Sequence, residues 1–376
     1  MNDMAAWRRH LHAHPETGFQ EHATAAFVAD RLRQAGLAVH TGIGGTGVVA
    51  TLRQGGGNRA IGLRADMDAL LIEEVAGRAH RSTLPGRMHA CGHDGHTAAL
   101  LGAACALAAA PDFDGTVHFI FQPAEENGRG MQAMLDDGLL ARFPIDEAYG
   151  LHNMPGLALG HFATRAGPLM AAEDNFAITI TGRGGHAARP QTCIDPILAG
   201  SAVVLALQQI VARRLDPVDP AVVSVTEFIT DGTRNVIANT VRILGDCRSY
   251  RPEVSAAIEA AMAEIAVAAA AAHGAGATLA YTREFIPTLN APGPTEAALR
   301  AAGGVMDSLD AACPKLMASE DFARLLALVP GNFAFVGNGD SAGLHHPAYD
   351  FNDRALPMMQ DYYLALVRDR LPRESP

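Results

Sequence analysis

The sequence predicts an α/β protein in which a mixed central sheet flanked by helices carries an inserted ferredoxin-like α+β domain of order β-α-β-β-α-β. Apolar strand-like runs alternate with helical patterns over the first half of the chain, and several of these runs end in polar residues. Such alternation is typical of an α/β sheet whose site lies at the carboxyl ends of its strands. From about residue 172 the pattern changes to alternating strands around two helices, which indicates the inserted domain.

Length and composition favour about two globular domains. The chain has 376 residues, of which 49% are hydrophobic and 18% are charged, and this is more than one ordinary core accommodates. The net charge of −11 argues against a general nucleic-acid or anionic-membrane surface, since either would select an excess of Lys and Arg. The longest apolar run, residues 265–272, is shorter than the roughly 20 residues that span a bilayer. We therefore expect neither a nucleic-acid nor a membrane partner.

Cysteine usage indicates the compartment. The five cysteines are an odd number, they are widely spaced, and residues 1–15 contain no apolar signal-peptide core. A disulfide framework is therefore not expected. We expect a reducing, cytoplasmic setting in which the thiol of Cys91 is available.

The elements of the first half follow in order. Helical spacing of apolar residues predicts one opening helix over residues 5–36, with Gly36 as its stop. The glycine-rich residues 55–58 are expected to form a turn between two strands. Strands are expected at 48–52, 60–63, 116–121 and 147–151, and helices at 98–110 and 129–140.

The second half predicts the insert and the return of the first domain. Strands are expected at 175–181, 221–228, 241–247 and 278–285, and helices at 196–213 and 253–273. After them, helices are expected at 295–302, 322–328 and 357–370, and a strand at 332–336. We therefore expect one discontinuous domain of residues 1–172 and 286–376, with residues 173–285 inserted. An exposed edge strand or helix of the insert would favour a homodimer or a higher homo-oligomer.

One stretch concentrates side chains that can do chemistry. Residues 89–96 contain a thiol, three imidazoles and a carboxylate just before an apolar helix. Cys91 and His93 form a Cys-x-His pair, which suits Zn(II), and added carboxylates widen the choice to Mn(II), Co(II) or Ni(II). An isolated pair of this kind is more often a buried cysteine with a helix-capping histidine, and it could also serve as a nucleophile with its base. The pair therefore needs supporting ligands.

Further ligand types follow other predicted strands. Glu125 and Glu126 come after an apolar run, and adjacent carboxylates resist burial unless a cation or a proton accommodates them. His152 follows another apolar run. The distant pair His345-His346 adds two imidazoles. Each of these is weak alone, but all are expected at the same carboxyl edge of the sheet.

Taken in order, the motifs resemble the aminoacylase/carboxypeptidase family of two-metal peptidases, in the branch of hippurate hydrolases, N-acyl-amino-acid amidohydrolases and auxin-conjugate hydrolases. The matching motifs are Arg9-x-Leu11-His12-x-His14-Pro15-Glu16, Arg64-Ala65-Asp66-Met67-Asp68-Ala69-Leu70, His89-Ala90-Cys91-Gly92-His93-Asp94-Gly95-His96-Thr97, Gln122-Pro123-Ala124-Glu125-Glu126, Gly150-Leu151-His152, Gly182-x-Gly184-Gly185-His186-Ala187-Ala188-x-Pro190, Asp195-Pro196-Ile197, Arg234-Asn235-Val236-Ile237, Ser319-Glu320-Asp321-Phe322 and Leu344-His345-x-Pro347. These motifs run nearly from end to end of the chain.

The resemblance implies an activity and a role for each residue. The activity is metal-dependent hydrolysis of the amide bond of N-acyl amino acids, by metal-activated water; the alternative is a dipeptidase or carboxypeptidase that uses the same centre. The implied ligands of two divalent metal ions (Zn, Mn, Co or Ni) are Cys91, His93, Glu126, His152 and His345. Glu125 would be the general base, Asp68 would orient a ligand, and His186 would stabilise the oxyanion from the inserted lid. Asn235 and Arg248 are candidates for holding the substrate's carbonyl or carboxylate.

Several positions depart from the family's usual pattern. Leu71 stands where proline is common, Gln191 stands where histidine is common, and Asn127 and Arg129 interrupt a glycine-rich run. His346 stands where Asn or Ser is usual, so it competes with His345 as the ligand. The remaining groups of the central motif, His89, Asp94 and His96, are expected to orient ligands or to cap a helix, and the N-terminal tract of His10, His12 and His14 is expected to pack. A non-catalytic binding protein that kept the fold is the contrasting hypothesis.

Overall fold

The computed structural model describes residues 3–373. The chain forms two compact units. The larger unit consists of the chain up to Leu169, Leu289–Pro314 and the chain from Asp321 onward. The smaller unit consists of Met170–Thr288 and Lys315–Glu320. Residues 315–320 belong to the smaller unit because Ala171 donates to the carbonyls of Leu316 and Ala318.

Helices and strands alternate along most of the chain. The helices are α1 (Met4–Ala13), α2 (His22–Gln34), α3 (His93–Ala109), α4 (Gly130–Asp136), α5 (Leu139–Arg142), α6 (Pro196–Leu207), α7 (Pro252–Ala271), α8 (Pro292–Gly303), α9 (Ala323–Leu326) and α10 (Ala355–Arg370). The strands are β1 (Ala38–Ile43), β2 (Gly47–Gln54), β3 (Ala60–Asp66), β4 (Gly115–Gln122), β5 (Glu147–Pro155), β6 (His161–Ala163), β7 (Gly167–Met170), β8 (Ala172–Thr181), β9 (Gly185–His186), β10 (Ala221–Thr230), β11 (Val236–Ile237), β12 (Thr240–Ser249), β13 (Gly276–Phe285), β14 (Thr288–Asn290), β15 (Ser308–Asp310) and β16 (Gly331–Gly339).

The larger unit is built on an eight-stranded mixed sheet of order β1-β2-β4-β3-β5-β16-β6-β15. Its centre is parallel, because β3 pairs in parallel with β4 and β5, and β5 pairs in parallel with β16. These strands are buried almost throughout, as expected for parallel strands covered by helices on both faces. The predicted fold class, a mixed sheet flanked by helices, is confirmed.

Helix α3 is the buried helix of this unit and packs against α1 and α10. Its Ala- and Leu-rich sequence offers an apolar surface on all sides, which suits a helix enclosed by other elements. The chain enters α3 through Gly92, which has a φ of +97°. A Cβ atom at Gly92 would lie 2.1 Å from Asn153 Oδ1, so both the backbone angle and the space require glycine.

The smaller unit has the predicted ferredoxin-like form. Its four-stranded sheet has the order β10-β12-β8-β13, with every neighbouring pair antiparallel. Helices α6 and α7 pack against this sheet. Their shared core contains Ile178, Ile243, Ile258 and Met262. Strands β9 and β11 form a further small sheet in this unit. A separate small sheet pairs β7 with β14, whose residues belong mostly to the larger unit.

Helix α7 is an exception to the expectation that no apolar segment is long enough to span a bilayer. Its 20 residues have a window of mean hydropathy 1.6, long and apolar enough by length and composition to cross a membrane. Residues Ile258, Met262 and Ile265 of this helix are nevertheless buried in the core of the smaller unit. Core helices pass the same test of length and hydropathy, so α7 is explained by packing against its sheet.

The structure corrects several predicted element boundaries. The single opening helix over 5–36 is wrong: α1 ends at Ala13 and α2 begins at His22, because a residue before proline, here His14, disfavours helical geometry. The helix predicted at 129–140 is divided at Gly138, which has a φ of +81°. The helix predicted at 196–213 ends at Leu207, and Ile210–Arg214 forms a π-helical turn. The sequence patterns did not predict strand β1.

Candidate metal centre

The carboxyl ends of the central strands bring the predicted site residues of the larger unit together. Asp68 follows β3, the pair Glu125-Glu126 follows β4, and His152 lies in the last part of β5. Because these strands are parallel, their carboxyl ends lie at one edge of the sheet. His345 follows β16, and its backbone N–H donates to the carbonyl of Ala90, just before Cys91.

The donor atoms of these residues form overlapping clusters. In each of three groups the possible ligand atoms lie within 4.8 Å of one another: Cys91 with His93 and His152, Cys91 with Glu126 and His345, and His93 with Glu125 and Glu126. The Cys91 Sγ atom lies 3.4 Å from His152 Nε2. His345 Nε2 lies 3.4 Å from Glu126 Oε2. Cys91, His93 and Glu126 each take part in two groups, so the clusters form one continuous site.

Two buried polar atoms of this site lack hydrogen-bond partners, and a bound cation would explain this. His93 Nε2 and Glu126 Oε1 have no hydrogen-bond partner among residues 3–373, and they lie 3.8 Å apart. Buried polar atoms are normally paired, so such atoms call for an explanation. A thiol, imidazoles and carboxylates together are a donor set for divalent transition metals. The residues therefore fit a metal centre.

The charges around His93 also favour a cation. Burial alone would lower the pKa of His93, but the carboxylates of Asp66, Asp68 and Glu126 raise that pKa to about 10. These carboxylates favour a positive charge at this position, and a bound cation would supply that charge in place of a proton. Burial and His96 hold the pKa of His152 well below its usual range, so His152 stays neutral, which is the form that ligates a metal.

Neighbouring groups fix the orientation of the candidate ligands. His152 Nδ1 lies 2.7 Å from the carbonyl oxygen of Asn153, so Nδ1–H donates there and Nε2 faces Cys91. Asp68 accepts the backbone N–H of Glu125 at 3.0 Å and of Glu126 at 3.1 Å. The same Asp68 carboxylate lies 3.3 Å from His93 Nδ1. Asp68 therefore contacts both the histidine and the loop that carries the two glutamates.

A buried polar network lies directly beside these ligands. Asp66 accepts from Arg64 at 2.8 Å and lies 2.6 Å from His96 Nδ1. The other nitrogen of His96 lies 2.8 Å from Asn153 Oδ1, and Asn153 donates to the hydroxyl of Tyr349 at 2.6 Å. The sequence patterns did not identify Arg64, Asp66 or Asn153 as site residues, because contacts such as Arg64–Gln122 and Asp66–His96 join residues 58 and 30 positions apart.

The two adjacent histidines of the C-terminal loop differ in their hydrogen bonds. His345 has a φ of +62° and directs Nε2 at Glu126. The Nδ1 atom of His346 instead accepts the backbone N–H of Ala348 at 3.0 Å. That bond occupies the lone pair of Nδ1, and no candidate metal group contains His346 among the described residues. The geometry favours His345 as the ligand.

The predicted site residues of the smaller unit fall into two places. His186 pairs with Val236 across the β9–β11 ladder, and the Ala187 N–H donates to the carbonyl of Asn235. The Nδ1 atom of His186 accepts the N–H of Ala188 at 3.0 Å, which leaves Nε2–H as the donor of a neutral ring. Both His186 and Asn235 are exposed.

Arg248 lies on β12 and is engaged by acidic partners. Its guanidinium lies 2.8 Å from Glu173 Oε2 and donates to Asp246 Oδ1 at 2.9 Å. It also donates to the hydroxyl of Ser319 at 2.7 Å. Two carboxylates already compensate its charge, so a substrate carboxylate would have to compete with them.

The other residues singled out from the sequence belong to no candidate metal group among the described residues. Leu71 is 76% exposed, and Gln191, Asn127 and Arg129 are also exposed. The Asn127 side chain accepts the N–H of Arg129 at 3.1 Å, where α4 begins. Within the central motif, Asp94 contacts Arg8 and His12. None of these positions removes a candidate ligand.

Comparison with known proteins gives one family over most of the chain. Peptidase family M20/M25/M40 matches residues 62–369. A hippurate hydrolase from Campylobacter jejuni is 37% identical over 362 residues, covering 96% of this chain and 94% of the relative. An N-acetyl-L-cysteine deacetylase from Bacillus subtilis is 39% identical over 369 residues, covering 97% and 87%. A thermostable carboxypeptidase from Saccharolobus solfataricus is 35% identical over 335 residues, covering 88% and 84%.

The fold is also similar to a solved structure. A protein from Bacillus subtilis, described as a dinuclear metal binding peptidase from the M20 family, superposes with a TM-score of 0.86 at 32% identity. The match covers 98% of this chain and 97% of the other chain. The resemblance inferred from the sequence motifs is therefore confirmed by both kinds of comparison.

Proposed function

Because the chain belongs to peptidase family M20/M25/M40, we propose that it hydrolyses N-acyl amino acids to a carboxylic acid and a free amino acid. Membership of this family makes the chain a hydrolase of amide bonds. The structural observation that carries the proposal is the donor cluster, which contains the Glu125-Glu126 pair and fits metal-dependent hydrolysis. The named activities of the hippurate hydrolase and the N-acetyl-L-cysteine deacetylase support the acyl amino acid class.

We propose that Cys91, His93, Glu126, His152 and His345 hold two divalent ions. The overlapping donor groups and the dinuclear relative support this number. Sulfur and nitrogen donors beside carboxylates suit Zn, Mn, Co or Ni. When bound, such ions polarise an amide carbonyl and make water acidic enough to lose a proton near neutral pH.

The protein's own groups would then move the proton and hold the charges. Glu125 is the proposed general base: it takes a proton from the attacking water and delivers it to the leaving amine nitrogen. Asp68 supports this role through the N–H groups of Glu125 and Glu126. A fixed carboxylate at this position raises the rate because the base need not be reoriented during reaction.

The smaller unit is proposed to supply the remaining contacts. His186 would donate Nε2–H to the oxyanion of the tetrahedral intermediate, and its bond to the Ala188 N–H supports that tautomer. Asn235 is the proposed partner of the substrate's carbonyl or carboxylate. Arg248 is the weaker proposal for the same task, since Glu173 and Asp246 already pair with it.

The alternative function is a dipeptidase or carboxypeptidase with the same centre, which the carboxypeptidase relative favours. A panel of N-acetyl amino acids, N-benzoyl amino acids and dipeptides separates the two. Turnover of the acyl compounds supports the proposal, whereas turnover of dipeptides alone would contradict it.

Chelation should abolish activity and added metal should restore it. Activity that survives the chelator would instead favour Cys91 acting as a nucleophile.

We further propose a homodimer and a cytoplasmic setting. Strand β10 is at the edge of its sheet, and its residues Phe228 and Ile229 are exposed. Leu198 and Leu205 of α6 add exposed apolar surface, which supports association through the smaller unit.

The five cysteines form no disulfide among the described residues, which supports a reducing compartment.

A further inference from the structure

A buried carboxylate outside the family match contacts the loop that carries the proposed base. Glu21 lies between α1 and α2 and is 0% exposed. It occupies the N-cap position of α2 but makes no side-chain hydrogen bond to that helix. Glu16 takes over the capping, since its carboxylate accepts the N–H groups of Ala23 and Thr24. The Glu21 carboxylate is therefore available for another partner.

That partner is the backbone N–H of Ala124, the residue just before the paired glutamates. Glu21 Oε1 accepts the backbone N–H of Ala124 at 2.8 Å, and its Oε2 accepts the hydroxyl of Thr46 at 2.6 Å. With the two Asp68 bonds, the N–H groups of three successive residues, 124 to 126, are accepted by buried carboxylates. Glu21 and Asp68, from separate parts of the chain, therefore both bind the main chain of this loop.

The loop needs such support because its backbone is unusual. Ala124 has a φ of +50°, in the left-handed region that a side-chain-bearing residue rarely adopts. A conformation of this kind persists only where the surroundings over-determine it. The carbonyl of Ala124 is also fixed, by the N–H of Gly130 at 3.1 Å. A Cβ atom at Gly130 would lie 1.6 Å from the carbonyl oxygen of Pro123, so the loop leaves no space for a side chain at position 130.

We propose that Glu21 is a positioning residue, which accepts the Ala124 N–H and thereby fixes the direction in which Glu125 and Glu126 leave the main chain. This inference rests on the proposed function, because it concerns the base and a ligand of that site. Glu21 itself does not touch the substrate. Removing its acceptor should let the loop relax and displace both glutamates together.

The test compares variants of the full-length protein. Glu21→Leu removes the acceptor, whereas Glu21→Gln keeps an oxygen that can accept the Ala124 N–H. Glu16→Leu is the matched control, since it removes a carboxylate that accepts two backbone N–H groups of α2 and none of the loop. Each variant is assayed at saturating metal on an amide that the wild type cleaves. Thermal unfolding and the absorption spectrum of the Co(II) form are recorded in parallel.

Glu21→Leu is expected to lower kcat by about 100-fold, the cost of a misplacement near 1 Å, with KM changed by less than about threefold. Glu21→Gln should recover most of that loss, and Glu16→Leu should lower thermal stability with little change in kcat. The Co(II) spectrum should change in Glu21→Leu, because Glu126 is on the same loop, and stay unchanged in Glu16→Leu.

A folded Glu21→Leu protein with wild-type kcat and an unchanged Co(II) spectrum would overturn the inference. Glu21→Gln as inactive as Glu21→Leu would also overturn it. If Glu21→Leu does not fold, Glu21→Asp replaces it, because its shorter side chain withdraws the acceptor from Ala124; wild-type kcat in that variant contradicts the inference. Failure of the wild type on every amide would instead refute the proposed function, and the Co(II) spectra would still decide the role of Glu21.

Discussion

At the scale of single residues, the C-terminal histidine pair illustrates how hydrogen bonding separates neighbours that are chemically identical. His345 directs its Nε2 at Glu126, whereas His346 uses its Nδ1 to accept the Ala348 N–H. A ligand needs a lone pair directed at the metal, and of these two histidines only His345 belongs to a candidate metal group in the described part of the chain. The main-chain fold of one short loop therefore determines which imidazole is the candidate ligand.

We predict that His345→Ala and His346→Ala behave differently. His345→Ala should weaken binding of one metal ion by more than about 100-fold, since loss even of a group that merely orients a ligand costs 10- to 100-fold. His346→Ala should retain both ions. Metal content after dialysis, measured by elemental analysis, checks this; loss of metal in His346→Ala alone would reverse the assignment.

Residue identities could be predicted from the sequence where they belong to a contiguous motif. Cys91, His93 and the Glu125-Glu126 pair stand out because they combine unusual residue types with apolar flanks. Glu21 and Asp66 do not stand out, because their importance comes from partners far away: Ala124 is 103 positions from Glu21, and His96 is 30 from Asp66. Only the folded chain reveals such pairs.

At the scale of elements, the loop after β3 supports the segment that follows His345. The guanidinium of Arg78 donates to the carbonyls of Ala348 and Tyr349, and the Val75 N–H donates to the carbonyl of Pro347 at 3.1 Å. These bonds attach the loop after β3 to the segment that follows His345. A planar guanidinium can bind two acceptors at once, which a lysine cannot do with the same geometry.

Arg78→Met should therefore weaken binding of one metal ion about tenfold, at the lower end of the range for groups that orient ligands. Arg81→Met is the matched control, because Arg81 contacts Glu73 and the carbonyl of Glu74 in the same loop. Competition with a chelating dye measures both affinities. Equal affinities in the two variants would show that the Arg78 bonds do not support His345.

Most central elements could be predicted from the sequence, because long apolar runs and clear helical spacing mark them. The strands β3, β4 and β5 include the predicted ranges within their bounds. Short peripheral strands were missed: β1 is largely exposed and β15 has three residues, so neither carries a continuous apolar pattern. The break between α1 and α2 was missed because apolar spacing continues on both sides of Pro15.

At the scale of the whole molecule, a buried charge network links the N-terminal helix to the larger unit's core. His12 of α1 is 0% exposed, and its ring lies 2.8 Å from Asp94 and 3.2 Å from Glu74. The other charged or titratable groups around this ring are Arg8, His80 and His89. Such a network makes the stability of the unit depend on pH.

The sign of that dependence follows from His12. Burial lowers its pKa, but the bonds to Asp94 and Glu74 raise it to about 9, above the ordinary value of 6.5. The stabilisation is therefore fully present below pH 6.5 and is lost as the pH rises toward 9. Denaturant unfolding should show a free energy of unfolding that falls across this window. The fall should be smaller in His12→Gln, and an equal slope would contradict the assignment.

The composition of the two units was harder to predict than their fold. The alternation of strands and helices indicates an inserted ferredoxin-like domain, since local patterns determine each of its elements. The addition of residues 315–320 to the smaller unit depends on contacts with Ala171 and Arg248. No local pattern carries that information, because residues 315–320 contain neither a helix nor a strand.

The central proposal is a metal-dependent amidohydrolase with Glu125 as its base, and Glu125→Gln tests it most directly. The amide keeps the size of the side chain but cannot take a proton. We predict that the purified variant binds two divalent ions and loses at least about 100-fold in turnover of an N-acyl amino acid. Undiminished turnover by a variant that holds both ions would contradict the proposal.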